Sequence, residues 1–135
     1  MSFRAVDRGA RPIYHTNVLL SIAPTFAVVC AEAIAATEER TRVLERLGSG
    51  RELLELSLDQ LHAFAGNLLA PDAGGTTVIA LSTTALGSLT QAQRRTLEAH
   101  GQLVPVDVTT IERYGGGRVR CMLAQVHLPR TVSAG

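Results

Sequence analysis

"RVRCMLAQVHL", residues 118–128, is the stretch on which the fold turns. Val119, Met122, Leu123, Val126 and Leu128 make a short apolar run after the glycines 115–117, and it reads as a strand. Inside it, Cys121-Met-Leu-Ala repeats an earlier tetrapeptide, Asn67-Leu-Leu-Ala, 54 residues upstream. That one in turn repeats Asn17-Val-Leu-Leu, a further 50 residues upstream. A recurrence at this period marks a chain built from repeated supersecondary units.

The residues around each copy give the unit. Residues 13–22 and 25–34 read as strands joined across Ala23-Pro24, where proline presets φ for a turn. Residues 37–50 read as a helix with Thr37 as N-cap and Val43, Leu44 and Leu47 as its apolar stripe, followed by a short strand at 51–56. The order then restarts. Strands at 64–71 and 76–82 flank an Asp-Ala-Gly-Gly turn, a helix at 89–101 has Thr90 as N-cap and Leu97 facing inward, and 102–108 closes as a strand. The sequence therefore predicts an α/β chain of two ββαβ units, about 11–57 and 63–108, with the first strand of a third at 118–129. Units of this kind need neighbours to bury their faces, as in propellers and solenoids. Arranged around an axis, they would bring Asn17, Asn67 and Cys121 to one place.

Composition narrows the function. Apolar residues are 46% of the 135 and charged ones 19%, a folded rather than a disordered balance. Thirteen Lys and Arg stand against 12 Asp and Glu, and there is no Trp, so no basic, aromatic footprint for nucleic acid or an anionic membrane exists. The longest apolar stretch, 18–31, is broken by Pro24 and too short to span a bilayer, and the N-terminus has charges where a signal peptide is apolar. Two cysteines, Cys30 and Cys121, make no disulfide framework, and a cytoplasmic protein is expected. The four histidines and two cysteines show no metal-ligand spacing, so no metal or other cofactor is expected.

Three stretches, "RPIYHTNVLLSI" (11–22), "ELSLDQLHAFAGNLL" (55–69) and "GGGRVRCMLAQVHLP" (115–129), resemble the amidinotransferase and arginine deiminase superfamily, most of all its citrulline-hydrolase branch. The resemblance runs from about Arg11 to Pro129. It implies a pentein-like, five-bladed α/β propeller of ββαβ units, of which this chain would form a part. It also implies Cys121 as the nucleophile, with Gly115, Gly116, Gly117 and Arg118 as the loop beside it. His15, in a His-x-Asp-like element, becomes the acid–base group, and Asn67 part of the substrate-binding wall.

Two departures from the family pattern shape the expectation. Arginine deiminases carry an acid where this chain has Asn17; a neutral amide suits an uncharged ureido group, as in citrulline, and makes Asn17 a substrate-binding candidate. The family's Glu-Gly-Gly-Asp-like element, whose carboxylates orient the histidine, is absent from these residues, and the family's enzymes are roughly double this length. The resemblance thus implies the C-terminal half of an enzyme, inactive alone, completed by an N-terminal half or prone to self-association. Amidinotransferase or arginine deiminase activity is the alternative chemistry, and a non-catalytic half-propeller that serves assembly is the alternative class.

The residues fit that chemistry. A resonance-stabilised guanidino or ureido carbon is a poor electrophile, and a thiolate is a soft, strong nucleophile for it. Strand alternation would turn Arg120 away from Cys121, leaving Arg118 or the glycine-loop N–H groups as its helpers. His62, His100, His127 and Cys30 read as structural residues.

Overall fold

Phe26-Ala-Val-Val is apolar at every position, and a strand of that pattern needs cover on both faces. The computed structural model, which describes residues 2–114 and 118–124, gives it that cover: β2 (Phe26–Val29) is buried along its whole length. β1 (Leu20–Ile22) pairs with β2 antiparallel, Ser21 opposite Val28, and β3 (Glu52–Glu55) pairs with it parallel, Val28 opposite Leu54. The parallel return needs a crossover, which α2 (Thr37–Gly48) supplies, burying Val43 and Leu47.

The second half repeats the parallel part. β4 (Val78–Ser82) pairs with β5 (Gln102–Val106), Ala80 opposite Val104, and α5 (Gln91–His100) lies between them in the chain. Its antiparallel partner is reduced to single bridges, Leu69 with Ala80 and Asp72 with Thr77. The chain is thus a mixed α/β fold with a three-stranded and a two-stranded sheet. One apolar cluster runs through both halves, from Leu19, Phe26 and Ile34 to Ile79, Leu81 and Leu97.

Several expected elements take a different form. Residues 16–19 are a helical turn, α1 (Thr16–Leu19), so the first strand is three residues long rather than 13–22. Residues 26–34 hold β2 and then a 3-10 turn, Ala31–Ala33. No strand spans 64–71; hydrogen-bonded turns fill its start, with Phe64 N donating to Leu61 O and Asn67 N to Phe64 O. Val119–Met122 is a helical turn, here named α7, where a strand was expected, and 125–128 lie outside the described residues. Each stretch is a short apolar run, for which periodicity cannot separate strand from helix.

The caps divide. Thr90 caps α5 as expected, in a capping box with Gln93, and Gly101 follows its end. Thr37 does not cap α2: the N-cap is Ala36, and the Arg40 guanidinium instead reaches the Ile34 carbonyl at 2.8 Å. Three helices had no counterpart in the expected order: α3 (Leu58–His62), α4 (Thr83–Ser88) and α6 (Thr109–Tyr114). α3 and α4 are capped by Ser57 and Ser82, whose hydroxyls accept from the N–H groups of Gln60 and Ala85.

Candidate functional site

The three repeat positions meet. Asn17 Nδ2 lies 3.6 Å from Cys121 Sγ, and Asn67 Nδ2 donates to the Asn17 backbone carbonyl at 2.9 Å. Asn67 Oδ1 accepts the backbone N–H of Arg120, the residue before Cys121, at 3.1 Å. Cys121 is exposed on α7, which packs across β4 through buried Val119. Asn67 is only 2% exposed, and each end of its amide makes a hydrogen bond to a backbone group.

Local packing explains how these side chains meet. Gly66 lies so close to α1 that a Cβ there would sit 2.5 Å from the Val18 carbonyl oxygen. The single O–H of Ser21 lies within hydrogen-bonding distance of both the Gly66 and Leu68 carbonyls, at 2.7 and 2.9 Å, and ties down the turn that carries Asn67. The Arg120 guanidinium donates to Ser21 Oγ at 2.9 Å, and the strand alternation expected to turn it from Cys121 is replaced by a helical turn.

His15 stands beside this group rather than in it. It is exposed, immediately before α1, and lines a pocket of about 300 Å³ with Tyr14, His62, Phe64, Arg118 and Arg11. Among the described residues no hydrogen bond joins His15 to Cys121. Arg118 lies over the Phe64 ring at 3.8 Å from its centroid, a cation–π contact. Phe64 holds φ at +63°, a conformation uncommon for a bulky side chain. On the pocket's outer wall, Arg11 and Gly9 hydrogen-bond Asp7, foremost through the Arg11 backbone N–H, and hold its carboxyl below the usual range. Gly115–Gly117 lie outside the described residues.

Neither His62 nor Phe64 stood out in the sequence. Ser57-Leu-Asp-Gln60 is a capping-box signature that would have announced α3 and the pocket wall at its end. A positive φ at phenylalanine has no such signal. Cys30 is fully buried in the core, and burial pushes its thiol up from the ordinary value of 9.0. Among the described residues no group of three or more His, Cys, Asp or Glu side chains comes together as a metal site, and no helix is long and apolar enough to cross a membrane.

Residues 1–128 match the profile of a protein family described as N,N dimethylarginine dimethylhydrolase, eukaryotic. The chain belongs to this family. With it, the chain belongs to the guanidino-modifying superfamily of amidinotransferases and dimethylarginine dimethylhydrolases. No curated protein matches it.

Solved structures with a similar fold include ArgZ, an arginine dihydrolase from the ornithine–ammonia cycle in cyanobacteria. The substrate-bound N-terminal domain of ArgZ aligns with a TM-score of 0.66 at 16% identity, over 90% of this chain and 40% of that one. The apo ArgZ chain aligns at 0.65 and 14% identity, over 90% and 17%. AgrE, in a ternary complex with ornithine and NAD+, aligns at 0.68 and 16% identity, over 96% and 17%. The dimethylarginine dimethylhydrolase family member described here thus shares their fold and spans less than half of each of those chains.

Proposed function

We propose that this chain is the nucleophile-bearing part of a cysteine hydrolase that acts on a guanidino or ureido carbon. The observation that carries the reading is the contact of Asn17 with Cys121, which joins two stretches 104 residues apart. An exposed thiol beside an amide N–H is a sulfur open to a substrate and faced by a donor, and a donor strengthens its bond as charge gathers on the acceptor. Family membership and the arginine dihydrolase fold support the substrate class.

In this reading the Cys121 thiolate attacks the planar carbon, and a C–S bond forms. His15 gives a proton to the departing amine as the C–N bond breaks. Water then loses a proton to His15 and adds to the S-linked carbon, and cleavage of the C–S bond returns the thiolate. The neutral Asn17 favours an uncharged ureido group, as in citrulline, whereas the family's name points to a methylated guanidino group. Arg118, three residues before Cys121 in the chain, lies between the nucleophile and the glycines of the sequence. The site is completed by residues of a longer protein or of a separate chain, as the outer blades of a five-bladed α/β propeller. Arginine deiminase or amidinotransferase chemistry would use the same thiol.

The test is turnover of citrulline, arginine and dimethylarginine by the 135-residue chain alone and joined to an N-terminal half from its own gene. The chain alone is expected to be inactive. The joined protein should release ammonia or dimethylamine, and Cys121→Ser should abolish this. Turnover that survives Cys121→Ser overturns the reading.

A further inference from the structure

Asn67 occupies an unusual place for a residue in a pocket wall. Its side chain is buried, and its partners identify both ends of the amide: Nδ2 donates to a carbonyl, that of Asn17, and Oδ1 accepts an N–H, that of Arg120. Each end of the amide is thus engaged by a backbone group. What the two partners share is their position. Asn17 carries the donor that faces Cys121, and Arg120 is the backbone neighbour of Cys121 itself.

We infer that Asn67 is a positioning residue, a strut that sets the distance between the Asn17 amide and the Cys121 sulfur and so tunes the nucleophile. This rests on Cys121 being the nucleophile of the proposed reaction, and it deepens that reading by naming what holds the thiol in place. The geometry of the strut is specific. A carboxamide carries a donor NH2 and an acceptor oxygen on a single planar group, which lets it bridge a carbonyl on one segment and an N–H on another. A Leu of similar shape fills the space but leaves both backbone groups unpaired, and an Asp keeps the acceptor while losing the donor.

The surroundings support a rigid mount. Gly66, the residue before Asn67, lies so near α1 that an added Cβ would meet the backbone of Val18 and Leu19. Arg120 is anchored a second time by its guanidinium on Ser21 Oγ, and Ser21 in turn holds the carbonyls on either side of Asn67. At the other edge of the turn, Phe64 lies beneath Arg118, which directly precedes α7. The nucleophile turn is therefore tied to residues 64–68 at both its start and its middle, and Asn67 alone among these ties also reaches the donor.

The experiment needs no turnover, so it separates this inference from the activity. Iodoacetamide alkylation of the 135-residue chain is followed by peptide mass spectrometry, reading Cys121 and Cys30 separately across a range of pH. Buried Cys30 reports folding, because it should stay protected in every folded variant. Asn17→Ala is expected to slow Cys121 alkylation at neutral pH by roughly threefold to tenfold, the worth of one hydrogen bond. Asn67→Leu should slow it by a similar factor and alter its pH profile, with Cys30 still protected.

The decisive arm is the double variant. If Asn67 works through Asn17, Asn67→Leu adds little once Asn17 is Ala, because the contact it sets is already gone. Independent effects that multiply would overturn the inference, as would an unchanged Cys121 profile in a folded Asn67→Leu protein. Should Asn67→Leu expose Cys30, the same comparison is made with Asn67→Asp, which keeps the acceptor for Arg120.

Discussion

The carboxamides of Gln60 and Gln93 face each other, Gln60 Nε2 donating to Gln93 Oε1 at 2.6 Å and Gln93 Nε2 to Gln60 Oε1 at 3.1 Å. Each glutamine also closes a capping box, with Ser57 at the start of α3 and with Thr90 at the start of α5. One amide pair therefore ties two helix starts together. Gln60→Ala and Gln93→Ala should each destabilise the chain by roughly 1–3 kcal/mol, because each leaves the other amide short of a partner. The double variant should lose less than the sum, by about 0.5–3 kcal/mol. Urea unfolding of the four proteins checks this, and simple additivity would show two independent caps.

Gly66 has no room for a side chain. Its added Cβ would meet the Val18 carbonyl oxygen and the Leu19 carbonyl carbon, both backbone atoms that cannot swing aside. Gly66→Ala should cost roughly 1–3 kcal/mol, the range for overpacking. Gly87, in α4, meets nothing within 4 Å, so Gly87→Ala should stabilise by about 0.4–1 kcal/mol through the unfolded chain. Opposite shifts in melting temperature are the expected result.

Burial of Cys30 gives stability a dependence on alkaline pH. Its thiol is raised above 9.0 in the folded chain, chiefly by desolvation. Below the unfolded value both states hold the proton and nothing changes. Above it the unfolded chain ionises first, so stability falls as pH rises from there toward the folded value. Between about pH 8 and pH 10, wild type should lose more stability than Cys30→Ala. Equal losses in denaturant titrations at the two pH values would assign the effect elsewhere.

Asn17→Asp places a carboxylate where the neutral amide now faces Cys121. In the protein joined to its N-terminal half, the charge should favour a cationic guanidinium over a ureido group. The ratio of kcat/KM for arginine to that for citrulline is expected to rise at least about tenfold, a difference of roughly 1.4 kcal/mol. A ratio that stays constant would remove Asn17 from substrate discrimination.

β5 has no partner on its far side among the described residues, and Val106, Ile111, Met122 and Leu123 are exposed in the C-terminal half. An open strand edge next to exposed apolar side chains invites pairing. The isolated chain should therefore self-associate, its elution in sizing chromatography shifting with concentration in the micromolar range. Adding the N-terminal half should suppress the shift. A concentration-independent monomer would argue against an uncovered edge.

The sequence was most legible where local chemistry decides. Thr90 with Gln93, Leu97 and Gly101 each announce α5, and the buried Phe26-Ala-Val-Val run announces β2. It was least legible where distant groups compete for the backbone. The run Asn17-Val-Leu-Leu has the composition of a strand, but Asn67 takes the Asn17 carbonyl and Gly66 occupies the space beside Val18, and the backbone coils into α1. For the site, the repeat of Asn17, Asn67 and Cys121 pointed to one place. The division of labour among them depends on hydrogen bonds between residues 50 or more apart, which no spacing rule encodes.

His100, the last residue of α5, reaches back into the first half: Nδ1 lies 2.9 Å from Thr25 Oγ1, Nε2 lies 2.7 Å from Glu52 Oε2, and the ring rests against Phe26. During synthesis the ribosome delivers Thr25, Phe26 and Glu52 long before it delivers His100, and chains of this kind fold as cooperative units as they emerge. The contacts of His100 with Thr25, Phe26 and Glu52, which join the two halves, can therefore form only once residue 100 has been made.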